Sequence, residues 1–238
     1  MSSVWERVRE TRRRIEMATA RAGRAPGSVK LVAVTKNVGA PAVEEAIRAG
    51  VAAIGESRVQ EARAKRQIIG DGVEWHMIGP LQVNKAKYCP GLFTVIHSVD
   101  REELARELDR RAREHGVSLC CLMQVNVGRE PQKGGCAPEK AEELLRALAG
   151  FDRLRVAGLM TVPPFDEDPE TARPHYRELA ALRDELNRKG AGRVALAELS
   201  MGMSNDFEVA VEEGATLVRV GSALFGPRMG PIDEDKEQ

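Results

Sequence analysis

Aromatic residues are scarce in this chain: two Trp, two Tyr and five Phe in 238 residues. That removes the usual platforms on which unpaired bases stack. An excess of one charge is also lacking. Lys plus Arg and Asp plus Glu number 36 each, for a formal net charge of zero, so no basic surplus points to nucleic acid or an anionic membrane. The four cysteines, Cys89, Cys120, Cys121 and Cys136, form no C-x-x-C pair and show no metal-ligand spacing. Cys120 and Cys121 adjoin in an apolar run, where neighbours face opposite ways, and read as buried inert thiols. Nothing resembles a disulfide framework, which fits a reducing cytoplasm. No stretch approaches the roughly 20 apolar residues of a membrane span, and the first residues lack the apolar core of a secretory signal. The expectation is a soluble cytoplasmic protein with neither a nucleic-acid nor a membrane partner.

What the chain has is rhythm. Ser3 and Glu6 form a capping-box pattern, and Val4, Val8, Ile15 and Ala18 fall at helical spacing, so a helix opens the chain and ends near Gly23 and Pro26. The run Arg12-Arg-Arg14 reads as a solvated face, balanced by Glu6, Glu10 and Glu16. Eight strand-like runs follow: Lys30 to Lys36, Ala52 to Glu56, Glu74 to Gly79, Val95 to Val99, Ser118 to Asn126, Arg155 to Val162, Ala195 to Ser200 and Thr216 to Val220. Helical patterns lie between them, over Pro41 to Ala49, Val59 to Ile69, Leu81 to Tyr88, Arg101 to His115, Pro138 to Leu148, Glu170 to Lys189 and Asn205 to Glu213. Asn205 with Glu208 again has capping-box spacing. Gly50, Gly116, Gly150, Gly190 and Gly214 stand where helices stop.

Alternating units of this kind imply a parallel sheet. Eight of them in about 200 residues match a closed (β/α)8 barrel, a TIM barrel with an extra N-terminal helix. An open doubly wound sheet is the alternative, but no G-x-G-x-x-G follows the first strand. One domain over residues 1–230 is expected, followed by an acidic tail, 231–238, expected to be disordered.

In such barrels the site gathers at the C-terminal ends of the strands. Lys30-Leu-Val-Ala-Val-Thr-Lys36 ends on an amine, and alternation puts Val32, Val34 and Lys36 on one face. Burial beside branched apolar groups disfavours the ammonium and frees an amine that can attack a carbonyl and form a Schiff base. The alternative is a strand that surfaces with its lysine in water. The other ends carry Glu56 and Ser57, His76, His97 with Ser98 and Asp100, Gln124 and Asn126, Thr161, Ser200 to Ser204, and Arg219 with Gly221 and Ser222. Ser200 to Asn205 and Gly221-Ser222 each lead into a helical segment, with hydroxyls and exposed amides suited to a phosphate after strands seven and eight. Ordinary turn chemistry is the competing account. Arg219 alternates with Val218 and Val220, so if the valines pack outward it points into the barrel mouth. A guanidinium there needs an acceptor, and Glu56 or Glu198 could pair with it instead.

Six segments in order resemble the pyridoxal-phosphate homeostasis protein family. They are Lys30 to Lys36, Gly55-Glu-Ser-Arg-Val-Gln-Glu61, Trp75-His-Met-Ile-Gly-Pro-Leu-Gln-Val-Asn-Lys85, Gly158-Leu-Met-Thr-Val-Pro-Pro164, Leu199-Ser-Met-Gly-Met-Ser-Asn-Asp206 and Arg219-Val-Gly-Ser-Ala-Leu-Phe-Gly226. The resemblance runs from about Val4 to Gly226 and implies a barrel of the alanine racemase N-terminal type. It implies Lys36 as the Schiff-base lysine for pyridoxal 5′-phosphate, and Arg219 beside the pyridine nitrogen. Ser200, Gly221 and Ser222 would then hold the phosphate with Ser204 nearby, and Met201 and His76 would line the ring pocket. Lys133 matches a lysine-bearing family loop, its role open. One position departs: the family usually shows Gly-Glu-Asn-Tyr where this chain has Gly55-Glu-Ser-Arg58, and Ser57 keeps a hydroxyl but reaches less far than asparagine.

Arginine only donates hydrogen bonds, so a ring nitrogen beside it stays unprotonated and the ring is a weaker electron sink. That disfavours chemistry needing a strongly stabilised carbanion, and the resemblance implies a non-catalytic protein that holds the cofactor and exchanges it with free pools or client enzymes. Without the racemases' second domain and its dimer contacts, a monomer is expected. Other B6 vitamers or amino acids are further candidate ligands. A racemase or isomerase is the alternative. In alanine racemases a tyrosine from a second domain supplies the opposing base. Here 12 residues follow Gly226, and Tyr88 and Tyr176 lie away from the expected strand ends. A Schiff-base aldolase using Lys36 is a third reading and needs no cofactor.

Overall fold

A computed structural model describes residues 2–193 and 195–227. The expected acidic tail lies outside the described residues. Helix α1, Val4–Arg21, starts on the full capping box: the Ser3 hydroxyl accepts from the Glu6 amide and the Glu6 carboxylate accepts from the Ser3 amide. Val4, Val8, Ile15 and Ala18 are all buried, as their spacing requires. Eight strands follow: β1 Lys30–Val34, β2 Ala53–Glu56, β3 Glu74–Met77, β4 Val95–Val99, β5 Leu119–Gln124, β6 Leu154–Met160, β7 Glu198–Ser200 and β8 Leu217–Val220. Each pairs in parallel with the next, and β8 returns to β1 with Lys30 opposite Leu217 and Val32 opposite Arg219, closing the barrel.

Helices α2 (Ala40–Arg48), α3 (Val59–Ile69), α4 (Glu102–Glu114), α5 (Ala141–Leu148), α6 (Arg173–Arg188) and α7 (Phe207–Glu212) alternate with the strands, and a 3-10 segment, Val83–Tyr88, stands between β3 and β4. A four-residue helix α8, Ser222–Phe225, follows β8. The Asn205 capping box does not form. Asn205 instead donates to the carbonyls of Asp166 and Glu167, and Asp206 becomes the residue before α7.

Outward strand residues such as Ile54, Trp75, Ile96, Cys121, Leu159, Leu199, Val218 and Val220 join the helix stripes in one large core. Fully burying a leucine such as Leu104 or Leu108 there contributes about 1.5–3 kcal/mol. A smaller core fills the barrel itself: Val32, Ala53, Leu122, Ala157, Met160 and Leu217. Charged inward residues stand at the two ends, Lys36 and Arg219 at one and Lys30, Glu74, Arg155 and Glu198 at the other. α1 packs against α2, α7 and α8. Arg7 donates to the Leu224 carbonyl, Arg14 pairs with Glu208 and Arg21 with Glu212.

Candidate functional site

Strand parity builds the site. On β1 the inward sequence is Lys30, Val32, Val34 and, two residues beyond the strand, Lys36. Val34 and Lys36 line a cavity of about 890 Å³ at the C-terminal mouth. Lys36 is held in place from both sides. The Thr35 hydroxyl donates to Glu56 Oε1 (2.5 Å), Lys65 Nζ donates to the Thr35 carbonyl, and the Asn37 amide donates to Glu61 Oε1 (2.6 Å). Lys65 joins these by ion pairs of 2.7 Å to both Glu56 and Glu61. Asn37 has φ +58, a left-handed turn that asparagine tolerates better than most residues. Glu56 is fully buried, and burial pushes its carboxyl above the usual range despite Lys65.

Across the mouth, Val218 and Val220 pack outward, and Arg219 faces the cavity while 4 % exposed. Neither expected carboxylate pairs with it. Glu56 points away to Lys65, and Glu198 takes the Thr216 hydroxyl. Arg219 instead donates from Nη1 to Ser200 Oγ (2.6 Å) and from Nη2 to the Thr161 carbonyl (2.8 Å). Burial lowers its pKa from the arginine value.

Ser57, Ser204, Gly221 and Ser222 also line the cavity, with Ile78, Gly79, Pro80, Phe165 and Asp206. Ser204 Oγ accepts from the Gly221 amide (3.0 Å) and the Ala223 amide (3.3 Å), joining the β7 loop to the start of α8. That loop turns at Gly202, φ +91, where a Cβ would stand 2.6 Å from the Ala210 methyl. Gly79 is equally constrained, since a Cβ there would stand 2.5 Å from the Ser57 carbonyl oxygen.

Lys36, Ser57, Ser204, Arg219, Gly221 and Ser222 are thus brought to one cavity. Three other candidates are not. Ser200 is wholly buried beneath it, its hydroxyl committed to Arg219 and His97. Met201 turns into the outer core. His76 lies on the wrong level of the barrel: it lines a second cavity of about 540 Å³ with Lys30, Glu74, Cys120, Arg155 and Glu198, from the N-terminal ends of the strands. Two residues further along β3's direction, Ile78 takes the place expected of it. Lys133 lies outside the lining and donates to the Pro163 carbonyl (2.7 Å). Cys121 is buried, its thiol pushed up to about 12, whereas Cys120 is only partly covered. Among the described residues no group of three or more His, Cys, Asp or Glu could hold a metal ion, and no helix is long and apolar enough to cross a membrane.

Sequence reasoning missed the Glu56–Lys65–Glu61 cluster, although Glu61 and Lys65 stand at i, i+4 on one helix face. It also missed the partners of His97, His76 on the preceding strand and Ser200 on β7, 103 residues away.

A closed parallel barrel with a lysine after β1 and a buried arginine on β8 defines a protein of the alanine racemase N-terminal class. The family model described as alanine racemase, N-terminal domain, matches residues 9–229. The alanine racemase of Clostridium difficile 630 has the same fold (TM-score 0.75, 16 % identity, 96 % of this chain, 61 % of that one). Nearer relatives are more particular. A protein of Aquifex aeolicus named pyridoxal phosphate homeostasis protein is 46 % identical over 94 % of this chain and 97 % of its own length. The structure of PipY from Synechococcus elongatus with PLP bound superposes with a TM-score of 0.80 at 37 % identity, over 94 % of this chain and all of that one. The chain belongs to the pyridoxal phosphate homeostasis protein family.

Proposed function

We propose that this chain binds pyridoxal 5′-phosphate in the C-terminal cavity and holds it for exchange rather than for turnover. The observation that carries the reading is that Lys36 and Arg219 face one cavity of about 890 Å³. The residues present fit the group. Its aldehyde calls for an amine, its phosphate for hydroxyls and amides, and its ring nitrogen for a donor. Lys36, then Ser204, Ser222 and the backbone at Gly221, then Arg219 supply these in turn. The relatives' names and the PLP-bound PipY support the same ligand. When bound, the group supplies an aldehyde that condenses with an amine to a Schiff base, with loss of water.

The chain's own residues account for holding it. The Thr35–Glu56–Lys65–Glu61 network fixes the turn that carries Lys36. One bond from each of Nη1 and Nη2, to Ser200 and Thr161, fixes the Arg219 guanidinium and leaves N–H groups over for the ligand. Ser200 supports Arg219 from beneath rather than touching a phosphate. His76 and Met201 have no part in this cavity.

Several features support a carrier. Arginine cannot protonate a ring nitrogen, and Tyr176, fully buried on α6, and Tyr88 are not among the lining residues. Exchange with client enzymes or other B6 vitamers, a monomeric state and a cytoplasmic location belong to the same proposal. So does a single domain over residues 1–230 with a short acidic tail.

The test is spectroscopic. Purified protein supplied with pyridoxal 5′-phosphate should turn yellow, and borohydride should fix the ligand on the peptide containing Lys36. Lys36→Ala should abolish the coloured adduct. An unchanged spectrum in that variant overturns the assignment. Enzyme-like exchange of amino-acid α-protons in heavy water would overturn the carrier reading in favour of a racemase.

A further inference from the structure

A line of buried polar side chains runs through the barrel from one mouth to the other. Glu74 Oε2, at the N-terminal mouth, stands 3.1 Å from His76 Nε2. His76 Nδ1 stands 2.9 Å from His97 Nε2, and His97 Nδ1 stands 2.8 Å from Ser200 Oγ. Ser200 Oγ takes Arg219 Nη1 at 2.6 Å. Both histidines and Ser200 are at most 1 % exposed. Neither histidine lines the ligand cavity, and a barrel interior is more cheaply filled with aliphatic side chains.

With neutral imidazoles between them, the two ends set its direction. Arg219 carries only donors, and an ionised Glu74 carries only acceptors. Glu74 is held ionised, its carboxyl lowered to about 2 by the hydrogen bond from His76 and then by Lys30. His76 Nε2 must therefore donate to it. If His76 is neutral, its Nδ1 accepts, and His97 Nε2 donates. Burial, with His76 and Arg219 close by, keeps His97 neutral, so its Nδ1 accepts in turn. The Ser200 hydroxyl supplies that proton while its oxygen accepts from Arg219. Every member is then satisfied, and both histidines carry their proton on Nε2. The chain places a carboxylate four hydrogen bonds from a buried guanidinium whose direct partners, Ser200 and Thr161, are neutral.

We propose that His76 and His97 are positioning residues: with Glu74 and Ser200 they form a one-way hydrogen-bond relay that orients Arg219 and couples it to the charge at the opposite mouth. The inference rests on the reading of Arg219 as the partner of a bound ring nitrogen. The groups that face the relay are Lys30 on β1, Cys120 on β5, Arg155 on β6 and Glu198 on β7 at the lower cavity, with Asp206 and Tyr176 near Arg219 above.

Two measurements test it. The first needs no ligand: imidazole 15N spectra of the unaltered protein should show His76 and His97 each as the neutral Nε2–H form. A proton on Nδ1 of either ring overturns the relay. The second is a double-mutant cycle read on the pH titration of bound pyridoxal phosphate's visible absorption. Glu74→Gln keeps an acceptor for His76 but removes the charge, and should move the midpoint by about half a pH unit. His97→Phe interrupts the line, and in that background Glu74→Gln should move it by less than about a quarter of that. Equal shifts in both backgrounds, or no shift in either, overturn the coupling. If the His97→Phe protein does not fold, the 15N spectra decide. If the protein takes up no pyridoxal phosphate, the reading of Lys36 falls, and the 15N spectra still decide the relay.

Discussion

At the scale of single residues, Glu56 is a costly placement, a carboxylate with no exposed surface whose Oε2 has no hydrogen-bond partner. Its charge is tolerated because Lys65 lies 2.7 Å from Oε1 and the Thr35 hydroxyl donates to the same atom. Taking one partner from a buried pair costs more than the pair contributes, since the survivor stays desolvated. Lys65→Met is therefore expected to destabilise the protein by about 3–5 kcal/mol in urea unfolding. The double variant Lys65→Met with Glu56→Gln should recover most of the loss. The pH dependence has a definite sign. A carboxyl whose folded pKa lies above its unfolded value binds its proton more tightly when folded, so this group's contribution falls as pH rises through that window. The Lys65→Met defect should therefore be smaller in acid than at neutral pH. A defect that does not change with pH would show that lost packing of the lysine stem, not the stranded charge, is responsible.

At the scale of elements, β7 is the weakest part of the barrel, with three residues and a single aligned pair to β8, Ser200 with Leu217. Its other edge depends on Gly158 of β6, opposite Glu198. A Cβ at Gly158 would fall onto the Glu198 carbonyl, and backbone on both sides leaves no flexible group to yield. Gly158→Ala should cost about 3 kcal/mol or more and lower the hydrogen-exchange protection of Leu199 and Ser200 first; uniform loss across all eight strands would contradict this. The strands themselves were legible because inward and outward positions alternate in residue type: Val218 and Val220 against Arg219, Val32 and Val34 with Lys36. That parity places both ends of the ligand cavity from sequence. What parity cannot supply is level. His76 faces inward as an alternating strand predicts, but it lies at the height of the lower cavity, because the position of a residue along a tilted strand depends on register with its neighbours. Ser200 shows the same limit: it stands at a strand end, yet its hydroxyl is consumed by His97 and Arg219, from β4 and β8. Such cross-strand partners, 103 residues apart for His97 and Ser200, leave no local pattern to read.

At the scale of the whole molecule, the barrel has two unlike mouths. The C-terminal mouth gathers hydroxyls, an amine and a guanidinium. The N-terminal mouth gathers opposed charges, with Lys30 Nζ 2.7 Å from both oxygens of Glu74, and Arg155 and Glu198 on the same rim. In barrels of this kind the lower face serves stability, and the Lys30–Glu74 pair ties β1 to β3 across β2. Glu74 has its carboxyl lowered to about 2 from 4.5, by the His76 hydrogen bond foremost and Lys30 after it. A depressed carboxyl contributes stability that is complete above its unfolded pKa and is lost as pH falls toward the folded one. The window is therefore about pH 4.5 down to about 2. Because the side chain is 38 % exposed, solvent screening reduces its worth to about 1 kcal/mol. Unfolding free energies measured across that window should fall more steeply for the unaltered protein than for Glu74→Gln, and the two curves should converge near pH 2. Other carboxylates held low by arginine, such as Glu107, titrate in both proteins and cancel in the difference. Parallel curves would mean that Glu74 adds nothing to stability, leaving the Lys30 contact a surface pair of no consequence to the fold.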